Sequence, residues 1–350
     1  MRRRGTVIVL LAIVAVITSL FPSAAALKLV SITLSGGLPN FPTLDEVNGY
    51  AYFPLQTVPG EIAKLNLATS KIVSTLKLKE SSSVWGSAID VQNQNAYFTL
   101  VGLSEYVVKV DLSSFKEVGS ILLQGTPHAI VIDSQNKALY VGTYGIPGVI
   151  FKISLATFRV STQINLPSGD NFVSSGIVDP TNGVAYFVLR IAPTTIAEIT
   201  TSNFKFSKNI VTKLPGITSN GPGGYSDDGY VSSMLDAVNH VAYFGTHSNP
   251  AIISVLDTAT AHVLNTITTE VAIADCLILA SAFKTVYVCS LVSGNMSLAA
   301  ISLVTGSQTN VIQLSSSGSG TVHGGVLYQG NIYLSLHDPS KPGIAKVSIP

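Results

Sequence analysis

Charge is what this sequence has least of. Asp, Glu, Lys and Arg make up 11% of its 350 residues, against roughly 25% in ordinary soluble domains, so Ser, Thr, Asn and Gly must cover much of the surface. No basic cluster follows Arg2, Arg3 and Arg4, which excludes a surface built to hold nucleic acid or an anionic membrane. A second long apolar run is missing after Val7–Leu20, as is a hydrophobic C-terminal tail of the lipid-anchor kind. No window keeps a helical apolar period with caps for three turns. No G-x-S-x-G elbow, phosphate-cradling loop or dinucleotide fingerprint occurs in the strand-to-helix setting each requires.

What is present begins with a leader. Three arginines, an apolar run of 14 residues and the small residues Ser23–Ala26 have the layout of a secretory signal peptide, with Ala24 and Ala26 before the cut. The rival, an uncleaved anchor, needs roughly 20 apolar residues. The expected division is a signal peptide over 1–26 and a single domain over 27–350, exported as a monomer with no membrane span. Without the leader the net charge is −2, three arginines and no acid having gone from +1.

The mature chain is repetitive. DPTNGVAYF at Asp179 returns as DEVNGYAYF at Asp45, DVQNQNAYF at Asp90, DSQNKALYV at Asp133 and DAVNHVAYF at Asp236. Two worn copies carry Tyr287 and Tyr333 in the tyrosine place. The tyrosines stand at 52, 97, 140, 186, 243, 287 and 333, spaced by 45, 43, 46, 57, 44 and 46. A period of about 40 to 50 is that of a propeller blade with four strands, here called a to d from the axis outward. Short β-branched and aromatic runs between turn residues decide for strands over helical repeats. The repeat Asp and Asn are suited to the a–b hairpin turn.

The phase of the ends predicts how the ring closes. IAKVSIP at the C-terminus is a strand c with no strand d after it, and LKLVSITL at Leu27–Leu34 stands where a strand d should precede Asp45. The expected fold is therefore all-β: a seven-bladed β-propeller of four-stranded antiparallel blades, with the N-terminal strand completing the last blade.

The iterated D-x-x-N-x-x-AYF pattern, the turns Pro59-Gly60, Pro147-Gly148 and Pro342-Gly343, and strands such as Lys109–Leu112 and Lys64–Leu67 resemble secreted YVTN-type propeller repeats. They are also similar to the propeller subunit of quinoprotein amine dehydrogenase and to lactonase-like propellers. The resemblance spans the mature chain and rests on scaffold motifs, so it implies a fold and carries no activity with it. Lactonase-like propellers place several carboxylates around a channel metal, whereas the inner-strand starts here offer one, Asp275. The amine dehydrogenase likeness implies a redox partner subunit, which nothing in the chain indicates.

Ligands of such folds sit at the channel mouth, on the rim of the d–a and b–c connections. Five places before each repeat aspartate stand Asn40, Trp85, His128, Ser174, Val231, Asp275 and Thr321. Trp85 could stack on a small polar or glycan ligand beside His128 and Asp275, or simply plug the mouth. His128, His247, His323 and His337 fall on this rim by strand phase, while His240 and His262 belong to the far side. The four could hold a divalent metal with Asp275, but none has close ligand spacing and no cofactor is predicted. The insertion Ile217–Tyr230 brings Tyr225, Asp227 and Asp228 to the same rim, as a lid or partner loop or as a tolerated excursion.

Cys276 and Cys289, the only cysteines, fall opposite each other if Ala280 pairs with residue 285, so a disulfide is expected in an exported protein, with two buried thiols as the alternative. Asn295-Met296-Ser297 is the one glycosylation sequon, and its use requires a eukaryotic host. The favoured reading is a secreted or cell-surface module that binds a protein or small polar ligand, leaning away from enzyme. A metal-dependent lactonase-like hydrolase, a redox propeller subunit and a purely structural extracellular protein are the alternatives.

Overall fold

The repeat aspartate ends its inner strand and closes the turn behind it, and this local event sets the fold. In five blades the asparagine three residues later gives its backbone N–H to one carboxylate oxygen and its side-chain amide to the other, as in Asp133–Asn136 at 3.0 and 2.8 Å and Asp45–Asn48 at 3.1 and 2.9 Å. The short loop is thereby fixed and the a–b hairpin register with it. The tyrosine that follows is buried in all seven blades. Where its hydroxyl bonds outward it ties one blade to the next: Tyr186 to the Thr258 carbonyl at 3.0 Å and Tyr333 to the Leu67 carbonyl at 2.8 Å.

This computed structural model describes residues 29–315 and 320–349; the leader, residues 1–26, lies outside the described residues. The strands form seven antiparallel sheets, the predicted seven-bladed β-propeller. Blade 3 shows the scheme, with strands at Pro127–Asp133, Ala138–Thr143, Val149–Ser154 and Arg159–Asn165. Burial falls outward from strand b: strand b is buried along its whole length, strand c at three of its six positions and strand d is largely exposed. The unbroken apolar runs of strand b follow from packing against blades on both faces. Seven hydrophobic clusters fill the spaces, and the cluster joining Ile32 and Leu34 to Phe53, Leu65 and Ile344 welds blade 7 to blade 1.

The ring closes as expected. Leu29–Thr33 pairs with Gly343–Ser348 from Leu29 opposite Val347 to Thr33 opposite Gly343, as the outermost strand of the last blade. Closure gives each terminal segment a hydrogen-bonded neighbour in place of an open edge.

Two blades depart from the repeat. Blade 6 lacks the Asp–Asn clasp and turns instead through a short 3-10 segment, Ser281–Phe283, with Lys284 left-handed. Ala280 still pairs with Thr285, and Cys276 falls directly opposite Cys289, where a disulfide joins them. In blade 7 the hairpin is two residues shorter: Tyr328 pairs with Asn331 across Gln329 and Gly330, both at positive φ, the tight turn that matches strand twist. The place of the repeat aspartate therefore belongs to Tyr328, and the inner-strand start five residues earlier is His323 where the sequence spacing indicates Thr321.

Candidate functional site at the channel mouth

Every inner strand carries surplus residues near its start. In blade 3, Pro127 pairs with Thr143 and Ala129 with the adjacent Gly142, leaving His128 unpaired between them. Ser174 and Val231 are left out in the same way, Trp85 and His323 fall in the slips of blades 2 and 7, and Asp275 in a longer slip in blade 6. Blade 1 interrupts its inner strand altogether, between Leu38–Pro39 and Thr43–Asp45. A bulge frees a residue from the ladder and re-aims its side chain. The result is one side chain per blade around a cavity of about 260 Å³: Phe41, Trp85, His128, Ser174, Val231, Asp275 and His323.

Two residues of the predicted set are displaced. Asn40 is fully buried and lies beneath the mouth, its amide donating to the Val84 carbonyl at 2.7 Å and its oxygen 3.0 Å from His323 Nδ1. Phe41 takes its place because the strand break turns the next residue to the axis. Thr321 still touches the cavity beside His323. The mouth leads to a narrower channel of about 190 Å³ lined by the strand residues just below, among them Gly86, Ser87, Ser175 and Ser233.

A second tier comes from the ends of strands b: Tyr144, Arg190 and His247 also line the cavity. The spacing argument used only inner strands and so missed Arg190 and Tyr144, as it missed Phe41. Composition held one signal, since Arg159 and Arg190 are the only arginines after Arg4.

The lining is divided. From blade 7 round to blade 4 the rings touch in sequence: His323 to Phe41 at 5.6 Å between centroids, Phe41 to Trp85 at 5.6 Å, Trp85 to His128 at 4.7 Å, His128 to Tyr144 at 4.5 Å and Tyr144 to Phe172 at 5.3 Å. The insertion prolongs this arc, with Tyr225 edge-on to Phe172 at 5.2 Å. Across the cavity, blades 4 to 6 present Ser174, Arg190, His247 and Asp275, with Val231 the apolar side chain among them. Apolar faces thus oppose a hydrogen-bonding and charged side.

The insertion is bonded into the rim. Arg190 Nη2 donates to the Asp227 carbonyl at 3.0 Å and its guanidinium lies 5.5 Å from the Tyr225 ring centre. Tyr225 shares an isolated bridge with Ile191, and the Ser226 hydroxyl, buried, donates to the Thr218 carbonyl at 2.8 Å. The Asp227 carboxylate turns away to the Asn220 amide at 3.0 Å. Asp228 is half-buried and does not line the cavity.

Electrostatics follow from burial. Asp275, its side chain 16% exposed, has its pKa pushed up to about 7 by desolvation, against an opposing pull from Arg190. Burial, reinforced by Arg190, holds His128 down at about 4. Burial and the neighbouring His337 and His247 hold His323 at about 3. His247 and His337 are also lowered, first by burial. The imidazoles are therefore neutral near pH 7, and Arg190 is the fixed charge of the cavity.

The four histidines do not converge. His128 is stacked between Trp85 and Tyr144. His323 meets Asn40 and stacks on His337 at 3.8 Å, and His337 Nδ1 faces the Pro39 carbonyl at 3.4 Å. His247 Nε2 lies 3.6 Å from Asp275 Oδ1 on the other side. Among the described residues no group of three or more His, Cys, Asp or Glu is placed to hold a metal ion. Asn295 opens strand c of blade 6, half-buried, paired with Val292 across Ser293 and Gly294.

No protein-family model matches the chain, and no curated protein matches it. Among solved structures it is similar to that of U3-55K, with a TM-score of 0.71 at 7% identity, over 92% of this chain and 98% of that one. At that identity the likeness is one of fold, and the chain shares with it the architecture of a β-propeller.

Proposed function

We propose that this protein is an exported propeller of the YVTN-type group that binds a small polar, sugar-like ligand at the channel mouth. The observation that carries the reading is the divided cavity, with rings from His323 to Tyr144 on one side and Ser174, Arg190, His247 and Asp275 on the other. A pyranose is matched to such a wall: its C–H face lies against the electron-rich face of an aromatic ring while its hydroxyls meet polar groups at the edge. The volume of about 260 Å³ lies below the roughly 300 Å³ at which drug-sized pockets begin, and it suits one ring.

Binding is favoured over hydrolysis by the carboxylates. Paired-carboxylate cleavage of a glycoside needs two at a set distance; here Asp275 lines the cavity while the Asp227 carboxylate is bonded to Asn220. The disulfide supports passage through an oxidising compartment.

Trp85 is the only tryptophan, so its emission reports on the mouth alone. Titration with a panel of monosaccharides and short oligosaccharides should change that emission saturably, and His128→Ala should weaken the response. Flat titrations across the panel would refute the reading. Export is tested separately by sequencing the mature N-terminus, expected at Leu27.

A further inference from the structure

Resting on that reading of the mouth as a sugar site, we propose that its preferred ligand is an acidic sugar, a hexuronate, whose carboxylate is held by Arg190 while Trp85 and its neighbouring rings take the pyranose face. Arg190 stands at the end of strand b of blade 4 and lines the cavity. Its guanidinium forms no ion pair among the described residues. The hydrogen bond from Nη2 to the Asp227 carbonyl and the Tyr225 ring beside it fix the plane of the fork. An arginine so held keeps further N–H donors for a partner, and two parallel donors match the paired oxygens of a carboxylate or a phosphate.

The charge of the cavity points the same way. Arg190 is its fixed cation, and the imidazoles of His128 and His323 are held neutral by burial. Asp275, the carboxylate in the lining, is disfavoured as an anion where it sits. The Arg190 guanidinium thus has no ion-pair partner among the described residues, and a neutral sugar would leave it without one. A phosphate would call for more than one cation to neutralise it, and a fatty acid for an apolar tunnel, whereas the channel below is lined by Gly86, Ser87, Ser175 and Ser233. A hexuronate supplies one negative charge on a ring with an apolar face and a hydroxylated edge.

The test is a titration of the whole protein by Trp85 emission with galacturonate and glucuronate, each against its neutral parent hexose and its methyl ester. Uronate binding at least about tenfold tighter than that of hexose and ester, the preference disappearing in Arg190→Met and returning only in part in Arg190→Lys, is the expected result. Should Arg190→Met fail to fold, the acid–ester comparison on the natural protein still decides. Hexoses and uronates binding alike would overturn the acid preference and leave the sugar site standing. No response to any saccharide would overturn both.

Discussion

At the hairpin end of the ring, five blades make the same Asp–Asn clasp from the same residues. At the mouth, no two neighbouring blades offer the same side chain. Both ends belong to the same seven sheets, so the contrast lies in what the side chains must do. A clasp residue satisfies buried polar groups in a closed turn, and few alternatives have the reach. A bulge residue stands outside the ladder and turns its side chain to the cavity, where no fixed turn geometry dictates its type. Repetition therefore marks where the fold is held, and divergence marks where a ligand is read.

The contrast should break most visibly at the seam. Deleting residues 29–34 strips the strand paired from Leu29 to Thr33 and the buried Ile32 and Leu34. The expected outcome is loss of the cooperative thermal transition or a fall in Tm beyond about 10 °C; an unchanged melting curve would show that the ring does not depend on its closing strand.

Next comes the clasp itself. Asp179 receives the Asn182 amide at 2.9 Å, His240 Nδ1 at 2.9 Å and the Thr258 hydroxyl, with a side chain 1% exposed. Asp179→Ala should cost about 2–4 kcal/mol, because it orphans several buried donors at once, read as a lower midpoint in urea unfolding. Burial alone would raise the Asp179 pKa, but the bonds from Thr258, His240 and Asn182 outweigh it and hold it below the ordinary value. Its contribution is therefore present above the unfolded-state pKa near 4 and is lost as pH falls through the lower folded value. The stability difference between the variant and the natural protein should shrink as the solution is made more acidic.

Blade 6 shows the same hairpin held by other means, since its turn has no clasp and its strands are joined at Cys276 and Cys289. With a sequence separation of 13, replacing both cysteines by alanine should cost about 3 kcal/mol. The double variant should unfold at lower urea, and reduction of the natural protein should reproduce the shift.

At the mouth the sign reverses. The folded-state pKa of Asp275, about 7, exceeds the unfolded value near 4, so its ionisation opposes folding over that window and the cost is complete above it. Asp275→Asn should melt higher than the natural protein at pH 8 and together with it at pH 3. The groups facing Asp275 are His247 at 3.6 Å and Arg190. Uronate affinity, if the acid preference holds, should fall as pH rises through about 7, and this dependence should vanish in the asparagine variant. Smallest of all, Val231→Ser, at a bulge on the cavity, should change stability by no more than about 0.5 kcal/mol.

The same contrast explains what was legible from residues alone. Period, strand content and closure follow from the clasp pattern, and the Cys276–Cys289 pairing from its register. The mouth emerged only as far as the clasp could be counted back from: Trp85, His128, Ser174, Val231 and Asp275 were placed, while Asn40 and Thr321 were not the residues that occupy blades 1 and 7. In blade 7 the Gln329–Gly330 turn shortens the count by two and gives the inner-strand place to His323, which strand phase had put on the rim, with Thr321 beside it. In blade 1 a strand break, which no spacing announces, substitutes Phe41. Arg190 and Tyr144 come from the ends of strands b, where there is no repeated residue to count from, whereas His247, also at such an end, was placed on the rim by strand phase. Tyr225 was placed because an insertion announces itself by length, yet its part in the aromatic arc depends on Phe172 and Tyr144, which are distant in sequence.

The bulges have a consequence for how such a molecule can change. His128 and Ser174 lie outside the backbone pairing register, so replacing either alters no strand register, although it gives up a contact with the adjoining blade, His128 on the Trp85 ring and Ser174 Oγ on the Tyr230 carbonyl at 2.9 Å. Each blade thus exposes one position outside the ladder to the same small space, and seven such positions form a combinatorial palette on a frame whose register does not depend on the choice. A new ligand preference could arise one blade at a time, with every intermediate still folded.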